Sequence, residues 1–304
     1  MASTNPEEVT HEFPFFRVYK GGRVEKFLWP PQKLPPTGVD PITGVQSKDV
    51  IISDNPQVSA RIFTPRISDP TLKLPVLLYI HGGAFSLMSA FSPSYDAHVR
   101  TLAAEAHVIA VSVEYRLAPE HPIPACYDDS WAALKWVGSH ANGDGPDLWL
   151  NNHADFNQVF VGGDSAGGNI SHTMAFRAGT IGLPGIRLVG AFLVHPYFGG
   201  VELDDKMWLY MCPSNSGLGD TRMKPSVEDL GRLGCERVLV FVAEKDHLSG
   251  PGRAYYENLK ISRWKGTVEI VENDGEEHCF HLHHTTSDNA VALIKKIVSF
   301  INQE

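Results

Sequence analysis

The sequence predicts an α/β fold in which a mostly parallel central sheet is covered by helices on both faces. Three observations lead to this prediction. Continuous apolar runs of the kind that form buried strands recur along the chain, and segments with helical spacing of apolar residues separate them. Strand and helix alternate from about residue 75 to the C-terminal end. The 304 residues could form one large domain or two ordinary ones, and we assign residues 1–304 to a single domain.

Residues 1–48 precede the alternating pattern and are rich in proline, glycine and charge. Residues 19–26 are predicted to form a small hairpin with Gly21 and Gly22 as its turn, and the prolines of residues 28–44 exclude a long helix. Large apolar side chains are too numerous here for a solvated tail: Phe13, Phe15, Phe16, Val18, Phe27, Leu28 and Trp29. We therefore expect this N-terminal arm to pack over the mouth of an active site, as part of a cap.

The remaining elements follow from the same patterns. An antiparallel pair of strands is predicted at residues 50–52 and 58–63. Further strands are predicted at residues 74–80, 108–115, 159–162, 188–194, 237–243 and 267–271, and helices at 94–106, 125–139, 169–176, 255–260 and 288–301. In sheets of this kind the ligand lies beyond the carboxyl ends of the strands, so the residues that follow each strand indicate the function.

A nucleophile is predicted after the strand at 159–162. Gly163-Asp-Ser165-Ala-Gly167 fits the pattern G-x-S-x-G and lies between a predicted strand and a predicted helix. This is the context of a nucleophile elbow, in which a tight turn exposes a serine and needs glycines around it. The alternative is a glycine-rich turn with an incidental serine, so the rest of the chain must supply a base, an acid and an oxyanion hole.

An oxyanion hole is predicted after the strand at 74–80, where the sequence continues His81-Gly82-Gly83-Ala84-Phe85. Two glycines at this point allow backbone N–H groups to face a cavity without obstruction by side chains. Motifs of this type accompany G-x-S-x-G in hydrolases. A simple tight turn is the alternative.

An acid and a base are predicted in the next two loops, in the chain order that this chemistry needs. Glu244 and Asp246 follow the strand at 237–243, and we favour Asp246 because it lies within the loop. His278 lies in the polar loop after the strand at 267–271 and is the predicted base.

Other histidines compete with His278. His247 is next in sequence to Asp246, so the two side chains cannot easily face each other, and His195 is expected to be a structural or pocket-lining residue. His281, His283 and His284 could suggest a metal site, but neighbours at the start of a helix point apart. We expect them to be solvated, and we expect neither a metal nor a cofactor.

Charge and cysteine content limit the class of partner. The chain has 26 basic and 35 acidic residues, a net charge of −9, which argues against nucleic acid or an anionic membrane as a partner. No leader sequence or membrane-spanning run is expected. The four cysteines form no C-x-x-C pair and are typical of free thiols, so we expect a cytoplasmic protein, with the nucleus as a second location, that acts on a small molecule.

Several motifs together carry a family resemblance: His81-Gly-Gly-Ala-Phe85, Tyr115-Arg-Leu-Ala-Pro-Glu-His121, Gly163-Asp-Ser-Ala-Gly-Gly-Asn169, Asp246 and His278. They resemble the hormone-sensitive-lipase group of the α/β-hydrolases. Residues 40–50 and the aromatic arm before them resemble the plant carboxylesterase branch of that group. The resemblance extends from about residue 10 to the C-terminal end.

The resemblance implies an α/β-hydrolase fold and a role for each motif. Ser165 would be the nucleophile, His278 the base and Asp246 the acid that orients it. The backbone N–H groups of Gly82, Gly83 and Ala166 would form the oxyanion hole.

The sequence departs from the family pattern at two places. Ala84 stands where the family has a third glycine, and the lid segment at about 198–225 is shorter than usual.

The expected function is therefore that of a serine carboxylesterase, which hydrolyses small short-acyl esters through an acyl-enzyme. One alternative in the same group is a dehydratase or cyclase of plant specialised metabolism, such as a 2-hydroxyisoflavanone dehydratase. A binder that resembles gibberellin receptors is less favoured, because those receptors lack the histidine that His278 provides here.

Overall fold

The computed structural model describes residues 7–28 and 31–303, so Trp29, one of the apolar residues of the predicted arm, lies outside the described residues. The strands are β1 (Val9–Glu12), β2 (Phe16–Tyr19), β3 (Val24–Lys26), β4 (Gln46–Asp54), β5 (Gln57–Thr64), β6 (Leu74–Ile80), β7 (Ile109–Glu114), β8 (Ala154–Asp164), β9 (Leu188–Val194), β10 (Arg237–Ala243) and β11 (Thr267–Asn273). The helices are α1 (Pro93–Glu105), α2 (Ala125–Gly138), α3 (Leu148–His153), α4 (Ala166–Ile181), α5 (Glu202–Met211), α6 (Val227–Leu230), α7 (Ser249–Ile261), α8 (Phe280–His283) and α9 (Asp288–Ile301).

The central sheet has eight strands in the order β11-β10-β9-β8-β6-β7-β5-β4. The six strands from β6 to β11 run parallel, while β4 and β5 pair antiparallel at one edge. The prediction of a mostly parallel sheet is therefore confirmed. Strand β8, which precedes the predicted nucleophile Ser165, lies between β6 and β9, so its carboxyl end is in the middle of the sheet.

Apolar side chains pack on both faces of this sheet. Helices α2, α4 and α7 contribute Trp131, Ile170 and Leu259 to the core on one face. Helices α1 and α9 cover the other face, and α9 does so with residues spaced three and four apart, among them Leu293 and Ile297. The residues at the ends of the central strands are therefore held between two layers of packed helices.

Two elements lie over the carboxyl ends of the strands, and we call them the cap: the arm residues 7–28 and helix α5. The arm forms a separate three-stranded sheet, β1-β2-β3. Its aromatic rings pack on Tyr210 of α5, with centroid distances of 5.1 Å for Phe13, 6.2 Å for Phe16 and 4.7 Å for His11. Helix α5 falls within the segment that the sequence assigns to a shortened lid.

Several elements differ from the sequence-based prediction. Helix α7 begins six residues before the predicted start, because Pro251 lies in its first turn, where proline costs no hydrogen bond. Helix α3 is not predicted from the sequence, and Asp147 caps it by accepting the backbone N–H of Trp149 at 2.9 Å. Helices α5, α6 and α8 are also not predicted. No helix within residues 7–28 and 31–303 combines the length and the apolar character needed to cross a bilayer.

Candidate active site

Ser165 lies on a tight turn between β8 and α4. Its backbone has φ 53° and ψ −118°, a conformation that is strained for a residue with a side chain. A Cβ atom on Gly163 or on Gly167 would collide with the carbonyl oxygen of Ile80, at the end of the adjacent strand β6. The glycines of the motif are therefore needed because the turn packs directly on the neighbouring strand, and the serine is partly exposed at its tip.

His278 and Asp246 form a hydrogen-bonded pair. The His278 Nδ1 atom is 2.7 Å from Asp246 Oδ2, and the other carboxylate oxygen accepts the N–H of Leu248 at 2.9 Å. Burial of Asp246 disfavours its charge, but the hydrogen bond from His278 and the charge of that residue outweigh this effect and lower the pKa of Asp246. The acid therefore stays ionised and orients the imidazole, so that its Nε2 atom is free for a proton.

The other candidate acid, Glu244, is placed differently. Its Oε2 atom accepts the N–H of Gly275 at 2.6 Å, on the exposed side of the loop. Of the two carboxylates that follow β10, Asp246 is the one that contacts His278.

The turn after β6 presents two backbone donors to the site. The N–H groups of Gly83 and Ala84 have no hydrogen-bond partner among the described residues, and both residues line the same cavity as Ser165. Ala166 also lines this cavity, and its N–H is the first of helix α4, where no partner exists within the helix. The structure contradicts the prediction for Gly82, because its N–H donates to the hydroxyl of Tyr95 at 2.9 Å.

The cavity above Ser165 has a volume of about 440 Å³ and mainly apolar walls. The cavity is lined by Ser165, His278, Gly83, Ala84 and Ala166. The cap supplies one side, with Pro14, Phe15 and Leu28 from the arm and Met207, Trp208 and Met211 from α5. No lysine or arginine of the described residues lines it. The site can therefore hold a neutral, apolar molecule of moderate size against the serine.

His247 is part of the cavity wall but is not placed as the base. Its Nε2 atom is 2.8 Å from Asp204 Oδ2 on α5, and its Nδ1 atom is 3.4 Å from Asp246 Oδ1. The ring centroid lies 5.8 Å from that of His278. This contact between the cap and the acid loop was missed from the sequence, because helix α5 was not predicted.

His195 supports the loop that carries His278. Its Nδ1 atom accepts the N–H of Cys279, the residue after His278, at 2.9 Å. Burial lowers the pKa of His195 to about 4, so the ring is neutral and its Nε2 atom carries the proton. The expectation of a structural or pocket-lining residue agrees with this contact.

The expectation that His281 is solvated is wrong. Its side chain is 2% exposed and packs at ring distances of 5.0 Å from His98 and 5.9 Å from His195. The short helix α8 packs on α1 and α9 and turns this residue inward, and the resulting burial lowers its pKa well below the usual value. His283 and His284 are exposed, as expected.

One group of side chains near the site could be considered for a metal. Ligand atoms of His195, His278 and Cys279 lie within 4.8 Å of one another. However, one ring nitrogen of His195 accepts a backbone N–H and the other carries a proton, so neither is available as a ligand. Burial also raises the pKa of the Cys279 thiol well above its usual value, which disfavours the thiolate that a metal needs. This set of donors does not fit a metal.

The buried histidines predict a loss of stability in acid. Burial lowers the pKa of His98 to about 4, from 6.5, so the unfolded chain binds this proton more readily and the folded state loses stability as the pH falls below 6.5. Between pH 7 and pH 5 this residue alone should reduce the free energy of unfolding by about 2 kcal/mol. We expect His98→Phe to reduce the pH dependence by that amount, measured by urea unfolding at both pH values. Equal losses in the two proteins would contradict this prediction.

Comparisons with known proteins show the family to which the chain belongs. Residues 77–282 match the model of the Abhydrolase_3 family, which has the alpha/beta hydrolase fold. The chain is 44% identical to a "2-hydroxyisoflavanone dehydratase" of Glycyrrhiza echinata, over 99% of this chain and 98% of the relative. It is also 44% identical to "Probable carboxylesterase 5" of Arabidopsis thaliana, over 97% and 98%. The crystal structure of EstE1, a thermostable carboxylesterase cloned from a metagenomic library, superposes with a TM-score of 0.71 at 26% identity, over 84% of this chain and 88% of that one. The chain belongs to the α/β-hydrolase fold family, and among its relatives are plant proteins named as carboxylesterases.

Proposed function

We propose that this protein is a serine carboxylesterase that hydrolyses small, neutral esters through Ser165, His278 and Asp246. The observation that carries the proposal is the His278–Asp246 hydrogen bond of 2.7 Å at the cavity that also exposes the strained Ser165. The relatives named as carboxylesterases support the same reaction class.

The mechanism follows from the placement of these groups. Asp246 accepts a hydrogen bond from the N–H at Nδ1 of His278, so the Nε2 atom of His278 can accept the Ser165 hydroxyl proton as Ser165 Oγ attacks the ester carbonyl. The N–H groups of Gly83, Ala84 and Ala166 stabilise the oxyanion, and each such donor contributes about 3–4 kcal/mol in other serine hydrolases. His278 then protonates the departing alcohol, and water repeats the same steps on the acyl-enzyme.

The cavity predicts a preference for neutral substrates. Its wall contains Asp204 and no lysine or arginine among the described residues, so an anionic acyl group would lose hydration without gaining a cation. We expect the p-nitrophenyl ester of hexanoate to have a kcat/KM at least about tenfold above that of the matched p-nitrophenyl monoester of adipate. Steady-state hydrolysis at pH 7.5 measures this ratio, and a ratio near one would contradict the prediction.

A covalent probe tests the proposed nucleophile directly. A fluorophosphonate should form one adduct, which peptide mass spectrometry assigns to Ser165, and the adduct should abolish ester hydrolysis in proportion to its amount. A panel of p-nitrophenyl esters with acyl chains of increasing length would then measure how the cavity limits the acyl group. Labelling elsewhere, with Ser165 unmodified, would contradict the proposed nucleophile.

A dehydratase is the second candidate function. Elimination of water needs a base for the C–H proton and an acid for the leaving hydroxyl. His278 and His247 both line the cavity, with ring centroids 5.8 Å apart, and could serve these two roles. The relative named as a 2-hydroxyisoflavanone dehydratase makes this substrate the one to test. Isoflavone formation from a 2-hydroxyisoflavanone without any ester turnover would favour the dehydratase over the esterase.

A hormone binder is favoured least. His278 is held by Asp246 in a form suited to catalysis, and the cavity wall has no cation among the described residues to pair with a carboxylate such as that of a gibberellin. Tight binding of such a hormone by a protein without hydrolytic activity would revive this alternative.

The cysteines support a proposal about location. All four, Cys126, Cys212, Cys235 and Cys279, are free thiols and buried. We propose a reducing compartment such as the cytoplasm, and imaging of a fluorescent fusion tests it.

A further inference from the structure

A buried network of hydroxyl groups lies behind the turn that presents the oxyanion donors. Asp164, the residue before Ser165, accepts the hydroxyl of Tyr79 through Oδ1 at 2.8 Å and that of Tyr95 through Oδ2 at 2.7 Å. The Tyr95 oxygen in turn accepts the N–H of Gly82 at 2.9 Å. Tyr95 therefore links the end of β8 to the first residue of the turn, whereas the Tyr79 hydroxyl bonds, among the described residues, only to the carboxylate of Asp164.

The close fit at Gly82 explains why this position is a glycine. A Cβ atom there would lie 2.5 Å from Asp164 Oδ2 and 3.0 Å from the Tyr95 oxygen. The glycine allows the backbone to approach the Asp164–Tyr95 pair, rather than allowing its own N–H to face the cavity.

The rest of the turn is held in a strained conformation. Gly83, Ala84 and Phe85 have φ values of 102°, 52° and 60°, and the last two are unusual for residues with a side chain. Strain of this kind persists only where surrounding contacts fix the backbone. The N–H groups of Ser86 and Leu87 bond to the Gly83 oxygen and close the turn on one side. On the other side the Gly82 N–H is held by the Tyr95 hydroxyl.

We infer that Tyr95 is a positioning residue for ester hydrolysis, and this inference rests on the proposed function. Its hydroxyl accepts the Gly82 N–H and so holds the peptide group between His81 and Gly82, whose carbonyl oxygen accepts the Tyr115 hydroxyl at 2.9 Å. This peptide group leads directly into the turn. The N–H groups of Gly83 and Ala84 then face the cavity, where the oxyanion forms. Tyr95 acts through the backbone of the turn, and its removal should affect the transition state more than substrate binding.

Tyr95→Phe and Tyr79→Phe form a matched pair for the test. Both side chains are buried, both changes remove one hydroxyl, and both remove one hydrogen bond to Asp164. Only Tyr95→Phe leaves the Gly82 N–H without a partner. We expect it to lower kcat between about 10- and 100-fold with little change in KM, as a displaced donor does in other enzymes. Tyr79→Phe should change kcat by less than about threefold.

A trifluoromethyl ketone gives a second measurement, because its adduct with Ser165 places an oxyanion in the hole. Its inhibition constant should rise in Tyr95→Phe by the same factor by which kcat/KM falls, and stay close to the wild-type value in Tyr79→Phe. Amide exchange of residues 81–88, followed by mass spectrometry, should be faster in Tyr95→Phe alone.

Three results would overturn the inference: equal losses of kcat in the two variants, a loss confined to KM, or an unchanged inhibition constant in Tyr95→Phe. An inactive wild-type protein would instead refute the proposed function. The two failures are therefore distinguishable.

Discussion

Ser165→Ala is expected to reduce kcat for short p-nitrophenyl esters by about a millionfold, as in other serine hydrolases that lose the nucleophile. The alanine removes the only atom that forms the acyl-enzyme, while the turn between β8 and α4 keeps its glycines and its packing against Ile80. The cavity wall also stays intact, so the affinity for a bound ester should change little. Stopped-flow and long-time absorbance measurements together cover the required range of rates.

Ser171→Ala is the control for this change. Ser171 lies in helix α4, which begins directly after Ser165. It is buried, and its hydroxyl has no hydrogen-bond partner among the described residues. Its removal should leave kcat within about threefold of the wild-type value. If Ser165→Ala retained even a tenth of the activity, an acyl-enzyme at Ser165 could not be the main route.

Local sequence patterns were sufficient to predict the central sheet, and they also selected the residues that we propose as the reacting groups. Buried parallel strands appear as continuous apolar runs, and the catalytic loops follow directly from where those runs end. This pattern identified three candidate residues, Ser165, Asp246 and His278, since each lies in a loop next to the end of a strand. The structure brings the last two within 2.7 Å.

The features that were missed depend on contacts between residues distant in sequence. The N–H of Gly82 donates a hydrogen bond to the hydroxyl of Tyr95, thirteen residues later in the chain. No sequence pattern around Gly82 indicates this bond. His281 looks polar and solvated in sequence, but the packing of α8 on α1 buries it. Helix α5 carries three acidic residues in its first turn, Glu202, Asp204 and Asp205, and its apolar face is recognisable only once the arm is known to cover it.

The second large effect is expected for Asp246→Asn, and the direction follows from the contacts of each carboxylate oxygen. Oδ1 accepts the N–H of Leu248 at 2.9 Å, so in the variant the amide oxygen must stay at that position. The amide NH₂ then faces His278 Nδ1, which is 2.7 Å from Oδ2 in the wild-type protein. Donation from this NH₂ fixes the neutral ring with its proton on Nε2, the atom that should accept the proton of Ser165.

We therefore expect Asp246→Asn to fold normally but to lose about 10⁴-fold in kcat, as the same tautomer change does in another serine hydrolase. The matched control is Glu244→Gln, because Glu244 is the other carboxylate after β10. The one hydrogen bond that its side chain makes among the described residues, with the Gly275 N–H, can be kept by the amide oxygen. Its kcat should stay within about threefold of the wild-type value. Steady-state kinetics on one ester compares the two variants, and a larger loss in Glu244→Gln than in Asp246→Asn would mean that the orienting acid is Glu244.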